Sequence, residues 1–419
     1  MKGFTVAILG CGSRGAETYG RIMQSQSEKY KIVALCEKNE ERLNKYSDIF
    51  EVEKQNCFTL EEEFFNEKRA DLIVIATQDA DHVRHCISAL KLGYDVLLEK
   101  PITSSREECE KLLLAQETFG GKVLVCHVLR YAPAFIKVKE LITAGEIGSL
   151  VSIQALEQII YWHIAHSYVR GNWRDTTKTS PTILAKCCHD LDLLQYYAGA
   201  KAKSVSSMGS LFHFKKQNAP KDCAIRCVDC KYVNDCPYSA KRIYIDRWKE
   251  TGSLPNVWPF NVLTSEIPLT EENLFNAIKT GQYGRCVYCC DNNAVDNQIT
   301  NVAFENGVTA SLSMMGFTGE GGRIMRFFGT HGEIVLDECA EILEIKRYGK
   351  PKERLSLATI AEAGHSHGGG DDGLVTKLYE ILNGKVNAET SLTASVESHL
   401  IGIAAEKSRL NGGELIKIR

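Results

Sequence analysis

The chain lacks three features that would place it in a special class. It has no excess of positive charge: 50 Lys and Arg against 53 Asp and Glu leave a formal net charge of −3, and no run of like charge forms a tail. Without a general basic field, nucleic acid is not an expected partner. It has no apolar run near the roughly 18 residues of a membrane span, so no membrane partner is expected. Its first strand begins within a few residues of Met1, which leaves no room for a signal peptide and makes a cytoplasmic location the expectation. Finally, it has no internal repeat and no low-complexity tract; the stretch Gly252 to Pro268 is a proline-punctuated loop and Gly364 to Gly373 is glycine-rich.

What is present is an ordinary globular composition, 419 residues with 44% hydrophobic and 25% charged, enough for a large core and two domains. Sixteen cysteines are many, but most stand singly in apparent helices and strands, as Cys36, Cys86, Cys109 and Cys126 do, which suits a reducing compartment.

The most informative stretch is Gly10-Cys11-Gly12-Ser13-Arg14-Gly15, after the apolar run Phe4 to Leu9 and before a predicted helix Arg14 to Gln26. In that context a G-x-G-x-x-G string marks a dinucleotide site. Gly10 permits the turn, Gly12 admits the pyrophosphate, Gly15 lets helix and strand pack, and the phosphates rest at the helix N-terminus near Ser13. The next strand ends at Glu37, about 20 residues on, where a carboxylate accepts the ribose hydroxyls and repels a 2'-phosphate. NAD is thereby favoured over NADP, although Lys38 and Arg14 would attract a phosphate. Strands and helices then alternate to a sixth strand, Lys122 to Cys126, predicting an α/β Rossmann domain (a doubly wound parallel sheet) over 1–126.

From His127 the rhythm changes. Helices are predicted over Pro133 to Ala144 and Thr182 to Tyr197. Strands are predicted over Leu150 to Glu157, Ser204 to Phe214, Asn297 to Glu305, Thr309 to Met315, Arg323 to Gly329, Gly332 to Asp337 and Ile342 to Arg347, with Asn306-Gly307 as a hairpin turn. This reads as an α+β domain over 127–419 with an open, mostly antiparallel sheet and a cysteine-rich insertion at about 215–295. The uncovered sheet face predicts a homodimer or homotetramer.

The glycine loop, Ala76-Thr77 with His82, Gly93, Glu99-Lys100-Pro101, Arg130 with Pro133, Gly145-Glu146-Ile147-Gly148 and His189-Asp190-Leu191-Asp192 stand in an order that resembles the glucose-fructose oxidoreductase/inositol dehydrogenase (Gfo/Idh/MocA) family over nearly the whole chain. The resemblance implies an NAD(P)-dependent oxidoreductase of sugars or polyols. It puts Thr77, His82, Glu99 and Lys100 beside the cofactor, and Arg130 and Asp192 in the substrate site.

Lys100 ends the fifth strand, the edge where such sheets bind ligands. An amine there can take a hydroxyl proton as hydride leaves, and the family places its lysine general acid/base at this point. His189 opens a His-x-x-Asp pattern and is the second acid-base candidate. The family usually has an aspartate four residues earlier; here that position is Ala185. Lys186, roughly on the face of His189, is expected to supply a cation in its place and to favour an anionic substrate or oxyanion. The segment Tyr161 to Trp173, read as a loop rich in aromatics and histidines, offers His163, His166 and Trp173 as sugar contacts, with Arg170 for an acidic ligand. His365 and His367 are candidates in a substrate loop.

Cys223-x3-Cys227-x2-Cys230-x5-Cys236-Pro237 is compact and loop-like. Four thiolates suit a structural zinc ion, with an iron–sulfur cluster, free thiols or a disulfide as alternatives; Cys286-x2-Cys289-Cys290 could supply a ligand but, beside strand-like sequence, is expected to pack. Two functions besides the dehydrogenase remain open: a redox-neutral glycoside-cleaving enzyme that oxidises, eliminates and restores tightly bound NAD, and a non-catalytic NAD sensor.

Overall fold

The computed structural model describes residues 2–254, 257–264, 266, 268–360 and 367–419. Its first sheet contains β1 (Phe4–Leu9), β2 (Tyr30–Cys36), β3 (Cys57–Phe58), β4 (Leu72–Ile75), β5 (Asp95–Leu98) and β6 (Val123–Val125), in the order β3-β2-β1-β4-β5-β6. All its pairings are parallel. Strands β1, β4 and β5 are buried runs such as Leu72-Ile73-Val74-Ile75, as expected of strands covered on both faces. The strand order reverses between β1 and β4, so a crevice opens at their C-terminal ends, where the glycine loop and Lys100 lie. This is the expected Rossmann fold.

The second sheet contains β7 (Leu150–Ile160), β8 (Ala202–Ser210), β9 (Asn297–Phe304), β10 (Thr309–Thr318), β11 (Gly322–Gly329), β12 (Gly332–Asp337), β13 (Ile342–Arg347), β14 (Glu353–Ser356) and β15 (Ile416–Lys417), ordered β14-β13-β12-β11-β7-β10-β9-β8-β15. Only β7 and β10 pair in parallel; the other pairings are antiparallel. Helices Pro133–Thr143, Cys188–Ala198 and Leu392–Leu410 pack on one face. The other face carries Ser152, Gln154, Ser204, Ser206, Asn301 and Ser311.

Three features differ from expectation. The segment 161–170 is helical, over Tyr161–Ile164 and Ala165–Arg170, because Ile164, Ala165, Tyr168 and Val169 all reach the core. The helix expected over Thr182 to Tyr197 is two helices, Thr182–Ala185 and Cys188–Ala198. Cys187 leaves helical geometry with ψ of 13°, which frees the Ala185 carbonyl for Lys100, whose Nζ donates to it at 3.2 Å. Lastly, helix Gly370–Leu382 packs on the first sheet: Leu374, Val375, Leu378 and Tyr379 share a core with Val6, Ile8, Tyr19 and Tyr30.

Candidate active site

The glycine loop has the geometry a dinucleotide needs. A Cβ on Gly15 would lie 2.0 Å from the Gly10 carbonyl oxygen, so that packing admits only glycine, whereas a Cβ on Gly12 would project into space with nothing within 4 Å. That open cradle fits a pyrophosphate. Gly12 and Ser13, with Cys11, Asn39, Arg42 and Tyr46, line a cavity of about 490 Å³ closed on its far side by Asn261, Leu263 and Tyr283 of the insertion. Glu37 accepts from the Cys11 amide at 2.9 Å and the Asn39 amide at 3.0 Å, with Arg42 3.4 Å away. The carboxylate therefore shapes the loop as well as presenting charge at the end of β2.

Arg14 does not point at a phosphate. Its Nε donates to Glu99 at 2.7 Å and its Nη2 to Asp371 at 2.7 Å, and it also bonds the Tyr19 hydroxyl. Glu99 also accepts from the Tyr19 hydroxyl at 2.8 Å and from the Lys100 amide at 2.9 Å. Burial alone would raise the Glu99 pKa, but Arg14 and Lys100 hold it below the usual carboxylate range. His82 bridges the carbonyls of Pro101 (2.7 Å) and Thr77 (3.2 Å), and the Thr77 hydroxyl lies 3.0 Å from His85 Nδ1. His82 thus ties the ends of β4 and β5 together, while Thr77 is held to the helix that follows β4.

At the end of β5 several bases gather. His189 is 5% exposed, and its ring centroid lies 6.0 Å from that of His127 and 5.8 Å from that of His367. Burial, and then the charge of Lys100, push its pKa well below the ordinary imidazole value. His163, packed 4.8 Å from Trp258, is pushed down in the same way by burial and then by Lys186, His166 and Lys100. Both rings are therefore neutral near neutral pH. His367 Nδ1 donates to the Asp371 carboxylate at 2.9 Å, which links it to Arg14.

Lys186 is not a free cation. Its Nζ lies 2.9 Å from Glu157 Oε1, and Glu157 and Asp190 share Arg323, at 3.1 Å and 2.8 Å. Against the opposing push of burial, Arg323 and Lys186 hold Glu157 low; burial, with Glu157 as neighbour, raises Asp190. The expected bias toward an anionic substrate therefore loses its basis, because the charge is already matched. Glu157, Asp190 and Arg323 were not among the sequence candidates. One signal was available: Glu157 occupies the inward register of β7 with Ile153, Ala155 and Ile159, where an unpaired acid would be costly.

The remaining candidates fall elsewhere. Arg130 and Asp192 are buried and pair with each other at 2.6 and 2.7 Å. Arg170 is 0% exposed and donates to the carbonyls of Arg285 (2.7 Å) and Tyr238 (2.6 Å), so it braces the insertion instead of meeting substrate. His166 bonds the Tyr244 hydroxyl at 2.9 Å and stacks on Tyr283 at 4.6 Å. Trp173 is half-buried against Tyr168. His365 lies outside the described residues. Among the described cysteines, the three sulfurs within 4.8 Å of one another belong to Cys223, Cys286 and Cys289, so one member of the expected quartet is joined by two residues from outside it, which the fold brings back across Cys223.

Family models match both halves of the chain: an oxidoreductase family, NAD-binding Rossmann fold, over residues 4–127, and the C-terminal alpha/beta domain of the same family over 139–415. The chain belongs to the Gfo/Idh/MocA oxidoreductase family. This family member is an enzyme of an NAD-binding oxidoreductase family. Bacillus subtilis YteT, named as an oxidoreductase, is 22% identical over 394 residues, 89% of this chain and 88% of its own. The 2,7-anhydro-N-acetylneuraminate hydratase of Mediterraneibacter gnavus is 26% identical over 215 residues, 50% of this chain and 53% of its own. Levoglucosan dehydrogenase, solved with NADH and levoglucosan, superposes with a TM-score of 0.72 at 15% identity, covering 100% of both chains. Among the described residues no helix is long and apolar enough to cross a membrane.

Proposed function

We propose that this Gfo/Idh/MocA member is an NAD-dependent oxidoreductase of a sugar, polyol or sugar derivative, with Lys100 exchanging the hydroxyl proton and His189 holding the reacting oxygen. The observation that carries the reading is Lys100 at the end of β5, its Nζ held 3.2 Å from the Ala185 carbonyl beside the crevice of the Rossmann sheet, with His189 and His163 close enough for its charge to lower both imidazoles. Bound NAD supplies the hydride acceptor or donor. Lys100 is steadied by the backbone carbonyl of Ala185, the residue at the sequence position where the family usually has its aspartate. Its amine removes the proton as the carbon is oxidised, or returns it in reduction. Neutral His189 can accept a hydrogen bond from the hydroxyl without adding charge beside the amine. The Glu37 carboxylate favours NAD over NADP.

The test is a panel of sugars, polyols and glycosides with NAD, read by both NADH absorbance and product detection. Turnover with NADH accumulation supports a net dehydrogenase. A redox-neutral enzyme is the second reading, favoured by the insertion residues Asn261, Leu263 and Tyr283 that close the cavity over the glycine loop and by kinship with a protein named as a hydratase. It predicts product without net NADH and NAD retained through purification. Tight NAD binding with no product on either readout would sink both.

A homodimer or homotetramer through the uncovered sheet face belongs to the same proposal: Met208 and Ile299, paired across β8 and β9, are 63% and 53% exposed there. Monomer alone in sedimentation at micromolar concentration would refute it.

A further inference from the structure

The insertion contains a cluster that the oxidoreductase site does not use. Cys223, Cys227, Cys230, Cys236 and Cys286 line one small cavity, and Cys289 joins Cys223 and Cys286 with all three sulfurs within 4.8 Å of one another. All are unpaired thiols. Two segments far apart in sequence build this arrangement. Arg226 and Arg285 form an antiparallel bridge, and the Cys286 amide donates to Ile225 O at 2.8 Å. Each side then makes the same tight turn: the Cys230 amide donates to Cys227 O at 3.2 Å, and the Cys289 amide to Cys286 O at 3.0 Å. Two C-x2-C turns facing each other form a chelating arrangement, not a packing motif.

Arg170 provides an independent observation. Its guanidinium is fully buried and, among the described residues, has no carboxylate partner; Nη1 has no hydrogen-bond partner at all. Apart from two carbonyls and the Tyr244 hydroxyl, its contact is Cys227 Sγ, 3.4 Å from Nη2. A buried cation facing neutral thiols costs several kcal/mol. Four thiolates around a divalent ion carry a net charge of about −2, which supplies the missing counter-charge.

We propose that the insertion holds one zinc ion, ligated by Cys223, Cys286 and Cys289 and by a fourth thiolate from the Cys227-x2-Cys230 turn. Geometry selects a single ion over an iron–sulfur cluster. Metal–sulfur bonds of about 2.3 Å set tetrahedral sulfurs about 3.8 Å apart, compatible with a trio inside 4.8 Å. The free volume of about 20 Å³ holds roughly one water-sized sphere, too little for a four-iron cube. With every position taken by sulfur, the ion has no open site and its role is to brace.

The test is elemental analysis of the full chain produced with zinc and iron both available. The expected result is about one zinc per chain, lost in Cys223→Ser and Cys289→Ser and kept in Cys339→Ser, which lies outside the cluster. Should the cluster variants fail to fold, replacement of the wild-type ion by cobalt(II) reads the site directly through thiolate charge-transfer absorbance and tetrahedral d–d bands. Iron with a sulfide chromophore, a metal content near zero with the cluster thiols freely reactive, or zinc unaffected by the Cys223 and Cys289 changes would each overturn the proposal.

Discussion

Around the cleft each buried arginine has an acid. Arg130 has Asp192, and Arg323 has Asp190 and Glu157, which also takes Lys186. Arg170, which reaches into the insertion, is buried as deeply and, among the described residues, meets two carbonyls, a thiol and the Tyr244 hydroxyl but no carboxylate. The cleft balances its charge from within the polypeptide and can be fully formed by folding alone. The insertion leaves a cation that the chain's own neutral groups do not match, which makes its stability depend on something bound. Equal burial therefore does not mean equal self-sufficiency.

The sharpest break in the comparison is Lys100→Met. Loss of the proton-transfer group should lower kcat by about 10²- to 10⁴-fold while NAD affinity, read by fluorescence titration, changes little. Next is Arg130→Met, which strands Asp192 among His127 and other buried groups; denaturant melts should show a loss of about 3–5 kcal/mol, unrelieved by added zinc. Acid should weaken both regions together. Burial lowers His127 to about 4 and His166 and His399 to about 3, so the unfolded chain takes up protons that the folded chain refuses. Their stabilisation is complete above about pH 6.5 and is lost as pH falls toward 4, by about 1.4 kcal/mol per pH unit per histidine. Asp190, raised by burial, works in the opposite sense, but as one group against these three and against His189 and His163, which burial also lowers. Thermal melts across this range would expose a contrary slope. The smallest effect is expected from Lys186→Met: with its charge already matched by Glu157, turnover should fall by less than about tenfold, and a larger loss would return Lys186 to the chemistry.

The elements legible in the sequence were those whose partners lie close along the chain or whose periodicity is local. The glycine loop, Glu37, the strand-helix alternation and most strands of the second sheet needed only a window of residues, and the position of Lys100 at the crevice followed because the end of a parallel strand is a ligand edge by topology. What local patterns could not give was the choice of partner. Arg14 reads as a phosphate ligand until Asp371, 357 residues away, claims it. Lys186 reads as a free cation until β7 brings Glu157 to it. Cys286 and Cys289 read as packing because the bridge from Arg226 to Arg285 is invisible to spacing. Long-range charge pairing and thiol convergence are set by the assembled fold, and no local pattern encodes them.

Helix Gly370–Leu382 fills the core of the first sheet, with the Tyr30 hydroxyl bonded to Val375 O at 2.8 Å and Lys122 Nζ to Ile381 O at 2.8 Å. During synthesis the nucleotide-binding half emerges first, but the apolar face around Val6, Ile8 and Tyr19 stays uncovered until this late helix has left the ribosome. The half made first is thus the one that must wait, and a nascent chain stalled before residue 370 would present that face to chaperones rather than to NAD.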